Sequence, residues 1–130
     1  MVLAVALCCL SVIQAAAADA GQPGSSTGRE CDNAQTTAAM RACENARYQQ
    51  AEQTMNATYR ALMSELDEAG RAKLRRAQQA WLRFRAAEAD FQADAVRGGT
   101  LAPLVRTSVL ADLTESRWGQ LSKQAQAVNK

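Results

Sequence analysis

Histidine occurs nowhere in the 130 residues. Its absence removes His-containing metal sites, the Ser-His-Asp triad and the Cys-His dyad from consideration. Aromatic residues are few, two each of Trp, Tyr and Phe. A domain of about 100 residues is already marginal by surface-to-volume scaling, so a covalent staple is a plausible supplement to a core this short of bulk. Neither sign of charge dominates, and the 15 basic and 13 acidic residues are interspersed, which argues against a nucleic-acid binder. No Gly-rich phosphate loop follows a strand pattern, and the paired carboxylates fall on helices without a pocket. The chain therefore reads as a non-enzyme without a cofactor. A glycoside hydrolase is the one enzyme class its many Asp and Glu residues leave worth testing.

The only long apolar run lies at the start, from Val2 to Ile13, followed by the small residues Ala15 to Ala18 and Ala20. Residues 1–20 read as a secretory signal peptide cleaved near Ala18 or Ala20. No Lys or Arg precedes Arg29, so the usual basic lead is missing, which would fit a true start upstream of Met1. The run is too short to span a bilayer comfortably, and Leu7 stands before Cys8 where a lipoprotein signal wants a small residue. Gly21 to Gly28 has no apolar residue to bury and reads, with residues up to 30, as a flexible linker. The folded domain is expected over 31–127, in a secreted or periplasmic location.

Within that domain the apolar period is helical throughout. Thr37 to Leu66 contains neither Pro nor Gly, and Tyr48, Ala51, Met55, Tyr59, Leu62 and Leu66 recur at steps of three and four. Thr36 or Thr37 is the expected N-cap, and Ala69-Gly70 the stop signal. A second helix is expected from about Arg71, burying Leu74, Ala77, Trp81, Phe84 and Phe91, with Gly98-Gly99 ending it before a loop that carries Pro103. A third, from about Leu104 or Ser108 to Ala127, presents Leu110, Leu113 and Leu121 with Trp118 alongside. The fold class is all-α: an antiparallel hairpin of two long helices with a third packed on it, a three-helix bundle with one disulfide.

After cleavage only Cys31 and Cys43 remain, most simply as one disulfide in an exported protein, with two free thiols as the alternative and no zinc site from two thiols alone. Twelve residues of continuous helix would separate their Cα atoms by about 18 Å, far beyond disulfide reach. If they pair, Cys31 lies on a segment folded back against the first helix.

Four ordered motifs carry a resemblance. They are Cys31 with Thr36, Met40 and Cys43; Met55-Asn56 followed by Tyr59; Ala77-Gln78 with Trp81, Phe84 and Arg85; and Leu110-Ala111-Asp112-Leu113-Thr114-Glu115 followed by Arg117. Together they resemble small exported bacterial domains related to the N-terminal domain of the LprI lysozyme inhibitor, from Cys31 to about Leu121. The resemblance implies two further cysteines in relatives, at positions held here by Ala89 and Val109. Their joint absence strengthens the Cys31–Cys43 pairing and leaves the contact between the second and third helices to packing alone, the looser junction.

The resemblance also implies a partner, a lysozyme or another muramidase. A basic lysozyme with two cleft carboxylates would be met by an acidic patch or an inserted Arg. Glu65, Asp67 and Glu68 at the hairpin tip, or Glu88, Asp90 and Asp94, are the acidic candidates. Arg85 and Arg117 are the basic ones. Asn56, Tyr59, Gln78, Arg85, Thr114 and Arg117 are read first as an interhelical polar network that sets helix register, and second as the lining of a cleft for a carboxylate or glycan. Trp81 is expected in the core, whereas Trp118 lies off the Leu stripe and would suit a protein hot spot or a sugar face if exposed. Arg71, Lys73, Arg75, Arg76 and Arg83 read as a solvated face. The competing function is an envelope structural or stress-associated protein whose basic helix binds peptidoglycan or another envelope protein, without a membrane span of its own.

Overall fold

The computed structural model describes Cys31 and residues 33–130. The expected signal peptide and linker lie outside the described residues. Three helices follow in order: α1 (Thr37–Glu65), α2 (Glu68–Asp94) and α3 (Ala102–Val128). The all-α, three-helix architecture with a Cys31–Cys43 disulfide is thus as the sequence led us to expect. The two Cα atoms stand 5.5 Å apart, a separation that takes Cys31 off the axis of α1 and folds its segment back.

Each boundary has a local cause. Thr36, in extended backbone, caps α1 by accepting from the Ala39 N–H at 3.1 Å. The first hairpin corrects the expected stop at Gly70. Asp67 is the N-cap of α2, its Oδ1 accepting from the Gly70 N–H at 2.7 Å, so Gly70 lies inside the first turn of the second helix. Gly70 has no positive φ; a Cβ there would stand 3.1 Å from that same Oδ1 and 3.3 Å from Leu66 Cβ, so the glycine makes room for the cap. Arg71 then closes the turn, its Nε donating to the Met63 carbonyl at 3.0 Å, one of the carbonyls α1 leaves without a helical partner. At the other end Gly98 adopts φ +75° in the turn leading to α3. Pro103 is not in that loop but in the first turn of α3, where a missing N–H costs nothing.

The packing order is less obvious than the element order. Arg47 meets Glu115, and Met55 shares a cluster with Leu121, so α1 and α3 run parallel. Arg85 meets Thr114 and Gln78 meets Arg117, so α2 runs antiparallel to both. Close backbone approach is concentrated between α1 and α3 and between α2 and α3. The third helix is therefore the shared partner, and α1 and α2 meet mainly through long side chains. Because α3 faces two neighbours, its buried arc is wide, taking in Val109, Leu110, Ala111, Thr114, Arg117 and Leu121. One core cluster joins Met55, Leu62, Leu74 and Leu121 near the first hairpin, and a second joins Ala89, Val109 and Leu110 nearer the disulfide.

The stripe expected for α2 is also corrected. Its buried residues are Leu74, Gln78, Ala89 and Ala93, with Arg85 between them mostly covered, a run at steps of four and seven. Ala77 is exposed, Phe84 is 52% exposed and Phe91 74%. The inner line is polar because its Gln and Arg find partners, which lets them be buried at the expense of apolar residues one position away.

Candidate functional site

The motif residues meet at mid-height of the bundle. Trp81 on α2 is half-buried against the first core cluster, and two guanidinium groups face its ring. The Arg85 guanidinium carbon lies 4.9 Å from the ring centroid, and that of Arg117 lies 5.8 Å away. Arg85 is also 5.5 Å from the Tyr48 ring on α1, so Tyr48, Arg85, Trp81 and Arg117 form a ladder across all three helices. Each such contact contributes about 0.5–2 kcal/mol depending on desolvation.

Hydrogen bonds set the edges of the two arginines. Arg85 Nη1 pairs with Glu52 of α1 and donates to Thr114 Oγ1 of α3 at 2.9 Å. The Thr114 hydroxyl itself donates to the Leu110 carbonyl at 2.6 Å. Arg117 Nε donates to Gln78 Oε1 at 3.0 Å, and its Nη1 to Gln120 Oε1 at 3.1 Å. Gln78 turns its amide nitrogen toward the Met55 sulfur at 3.6 Å. Arg117 has no carboxylate among these partners, and burial lowers its pKa from the ordinary arginine value. Burial likewise pushes the Tyr48 hydroxyl up, against an opposing pull from Arg85.

Hydrogen bonds and ring contacts group these residues in two nodes, Arg85–Glu52–Thr114 and Arg117–Gln78, with Trp81 between them. Asn56 and Tyr59 belong to neither: Asn56 is half-buried on α1, and Tyr59 packs against the first cluster. Glu52 escapes a reading of the sequence; it stands three residues before Met55, a position with no signal beyond the helical period. Arg85 and Arg117 are not cleft-lining groups. The Arg85 side chain is 11% exposed and Arg117 is buried, and both are engaged inside the bundle.

A second cluster, also unforeseen, lies on the α1–α3 seam. Arg47 Nη2 meets Glu115 at 2.7 Å and Asp112 at 2.5 Å, its Nε meets Glu115 again at 2.9 Å, and its Nη1 meets Glu44 at 3.2 Å. The Glu115 hydrogen bond raises the Arg47 pKa above its ordinary value despite burial, with Asp112 adding to it. Three carboxylates on one guanidinium leave this cluster net negative, and the Asp112 side chain is 61% exposed.

The remaining candidates are dispersed. At the hairpin tip Glu65 is exposed, Asp67 is occupied as a cap, and Glu68 pairs with Arg75 at 2.8 Å. Asp90 pairs with Arg106 and Asp94 with Arg97, both at 2.6 Å, while Glu88 accepts from Gln92. Trp118 is half-buried on the first cluster, which takes most of its face away from the sugar-stacking role an exposed Trp would have. Among the described residues no helix is long and apolar enough to cross a membrane.

A small disulfide-stapled helical domain, with an arginine–tryptophan ladder at its centre, is thus the class of protein that this fold defines. Residues 30–121 match the family model described as lysozyme inhibitor LprI, and the chain belongs to that family. It is also 28% identical over 134 residues to an uncharacterised protein of Rhizobium meliloti (strain 1021), covering 93% of this chain and 90% of that one. No solved structure matches.

Proposed function

We propose that this domain is an exported inhibitor of a lysozyme or related muramidase, acting by binding and not by chemistry. The observation that carries this reading is the family match, which spans nearly all of the three-helix body. Export is supported by the apolar leader and by the Cys31–Cys43 bond, a linkage that persists in oxidising compartments. Since Arg85 and Arg117 are engaged internally, we assign contact with the enzyme to the surface carboxylates. The net-negative α1–α3 cluster around Asp112 and Glu115 is better placed than the hairpin tip, where Glu68 is neutralised by Arg75. An acidic face would steer a cationic lysozyme and favour fast association.

The test is lysis of a bacterial cell-wall suspension by c-type, g-type and bacterial muramidases, with the oxidised protein in excess. Stoichiometric protection from one class, weakened in Asp112→Lys, is the expected result. Absence of protection from every class would overturn inhibition. The competing role, binding of cell-wall polymer through Lys73, Arg76 and Arg83, would show instead as sedimentation with peptidoglycan that disappears at high salt.

A further inference from the structure

The stripe that α2 turns away from the bundle has its own regularity. Ala77, Ala80, Phe84, Ala87 and Phe91 are all exposed and recur at alternating steps of three and four. That is the spacing of a two-stranded coiled-coil seam. It is separate from the inner line of Leu74, Gln78, Arg85 and Ala89, although Ala77 at its end also borders a groove with Leu62, Leu66 and Leu74.

The charges beside the stripe identify what fits there. Arg76 and Arg83 flank its first half, Asp90 flanks its second half, and Asp94 continues the seam. A second copy of the same helix laid antiparallel brings the basic half of each onto the acidic half of the other. In the register that places Phe84 opposite Ala87 of the second copy, Phe91 falls opposite Ala80, so each large side chain meets a small one. Arg83 of each copy then lies beside Asp90 of the other, and Asp94 falls opposite Ala77, next to Arg76. A parallel pairing would set Phe on Phe, Ala on Ala and the basic halves against each other. The cis partners of the two aspartates, Arg106 and Arg97, are surface pairs with both carboxylates more than half exposed, leaving room for a further cation.

We propose that two copies of this protein associate through the outer stripe of α2, antiparallel about a two-fold axis between Phe84 and Ala87. The interface is isologous, so every contact occurs twice. The seam is about 21 Å long and narrower than a standard interface, so the dissociation constant should be on the order of 10–100 μM. Self-association of this kind is independent of muramidase inhibition.

Sedimentation equilibrium of the purified oxidised protein, expressed with its own leader, decides the matter between about 5 and 500 μM. A reversible monomer–dimer equilibrium is expected for the natural sequence. The double substitution F84D/F91D should remain monomeric with an unchanged circular dichroism spectrum, since both rings are solvent-facing. Arg83→Glu and Asp90→Arg should each weaken self-association by roughly tenfold or more, through two like-charge contacts per dimer. Mixing those two variants should restore dimerisation, because each then supplies the charge the other lacks. A natural protein monomeric throughout the range overturns the proposal, as does a dimer indifferent to F84D/F91D. Two weakened charge variants that fail to associate when mixed overturn the antiparallel register. A monomeric protein that loses muramidase protection in F84D/F91D would reassign the stripe to that enzyme.

Discussion

Where α1 meets α3, two parallel helices close along most of their length, anchored by the Arg47 cluster near the middle and adjoining the disulfide at the top. Where α2 meets α3, the close approach is shorter. The junction depends on Ala89, Val109 and Leu110 above, on Leu74 with Leu121 below, and on the two arginine nodes between. The family resemblance places a second pair of cysteines at Ala89 and Val109, and in the fold these residues pack in one cluster, fully and almost fully buried. Directional bonds serve both junctions, Arg47 between α1 and α3 and Arg85 and Arg117 between α2 and α3, and at the second they fix geometries that apolar contacts alone would not specify.

The largest perturbation should come from the residue both junctions share. Leu121→Ala removes a fully buried side chain from the cluster joining Met55, Leu62 and Leu74, and should cost about 3 kcal/mol, read by urea unfolding. If the two junctions are unequal, Arg85→Ala should widen the gap between them. It frees Glu52 and Thr114 and empties the space between Tyr48 and Trp81, costing about 2 kcal/mol once the partial exposure of Glu52 is allowed for. Amide exchange should then accelerate in α2 well before α1 or α3; uniform acceleration would contradict two separable junctions.

The gap should close from the other side when the relatives' staple is restored. The pair A89C/V109C, oxidised, should raise stability by about 2 kcal/mol and slow exchange in α2 specifically. Failure to form the bond would mean that the shared cluster does not bring the two positions within reach. A smaller effect belongs to the hairpin: Asp67→Ala removes the cap on α2 and should cost about 1 kcal/mol, seen as a lowered Tm. The smallest is alkaline. Because burial raises the Tyr48 pKa above its ordinary value of 10.0, the folded state holds that proton more tightly than the unfolded state. Its contribution is complete below that value and is lost as pH rises through the folded pKa, so stability should fall above about pH 10. In Tyr48→Phe that part of the decline should disappear.

Helix existence was legible because an uninterrupted 3.6-residue period over long segments fits an amphipathic helix and no strand. The same period misled about which face of α2 is inward, since Phe84 and Phe91 outweigh Gln78 and Arg85 on any scale that ranks residues singly. Gly70 misled for a related reason: glycine more often marks the end of a helix, but here it sits in a first turn where a Cβ would crowd Asp67 and Leu66. Glu52 and Arg47 could not be found, because a charged residue near a helix stripe looks the same whether it faces water or an arginine on another helix.

Composition and spacing were enough to call for three helices and to exclude histidine chemistry, and they offered Cys31–Cys43 as the simplest pairing, which the folded chain makes. The helical period and the composition are local properties, read without knowing what packs against what. It took the assembled bundle to make α3 the shared helix, to bury two arginines and to leave two phenylalanines exposed. Burial is a property of pairs: a polar side chain enters the interior only when its partner arrives from a distant part of the chain, and spacing along one helix does not encode that meeting.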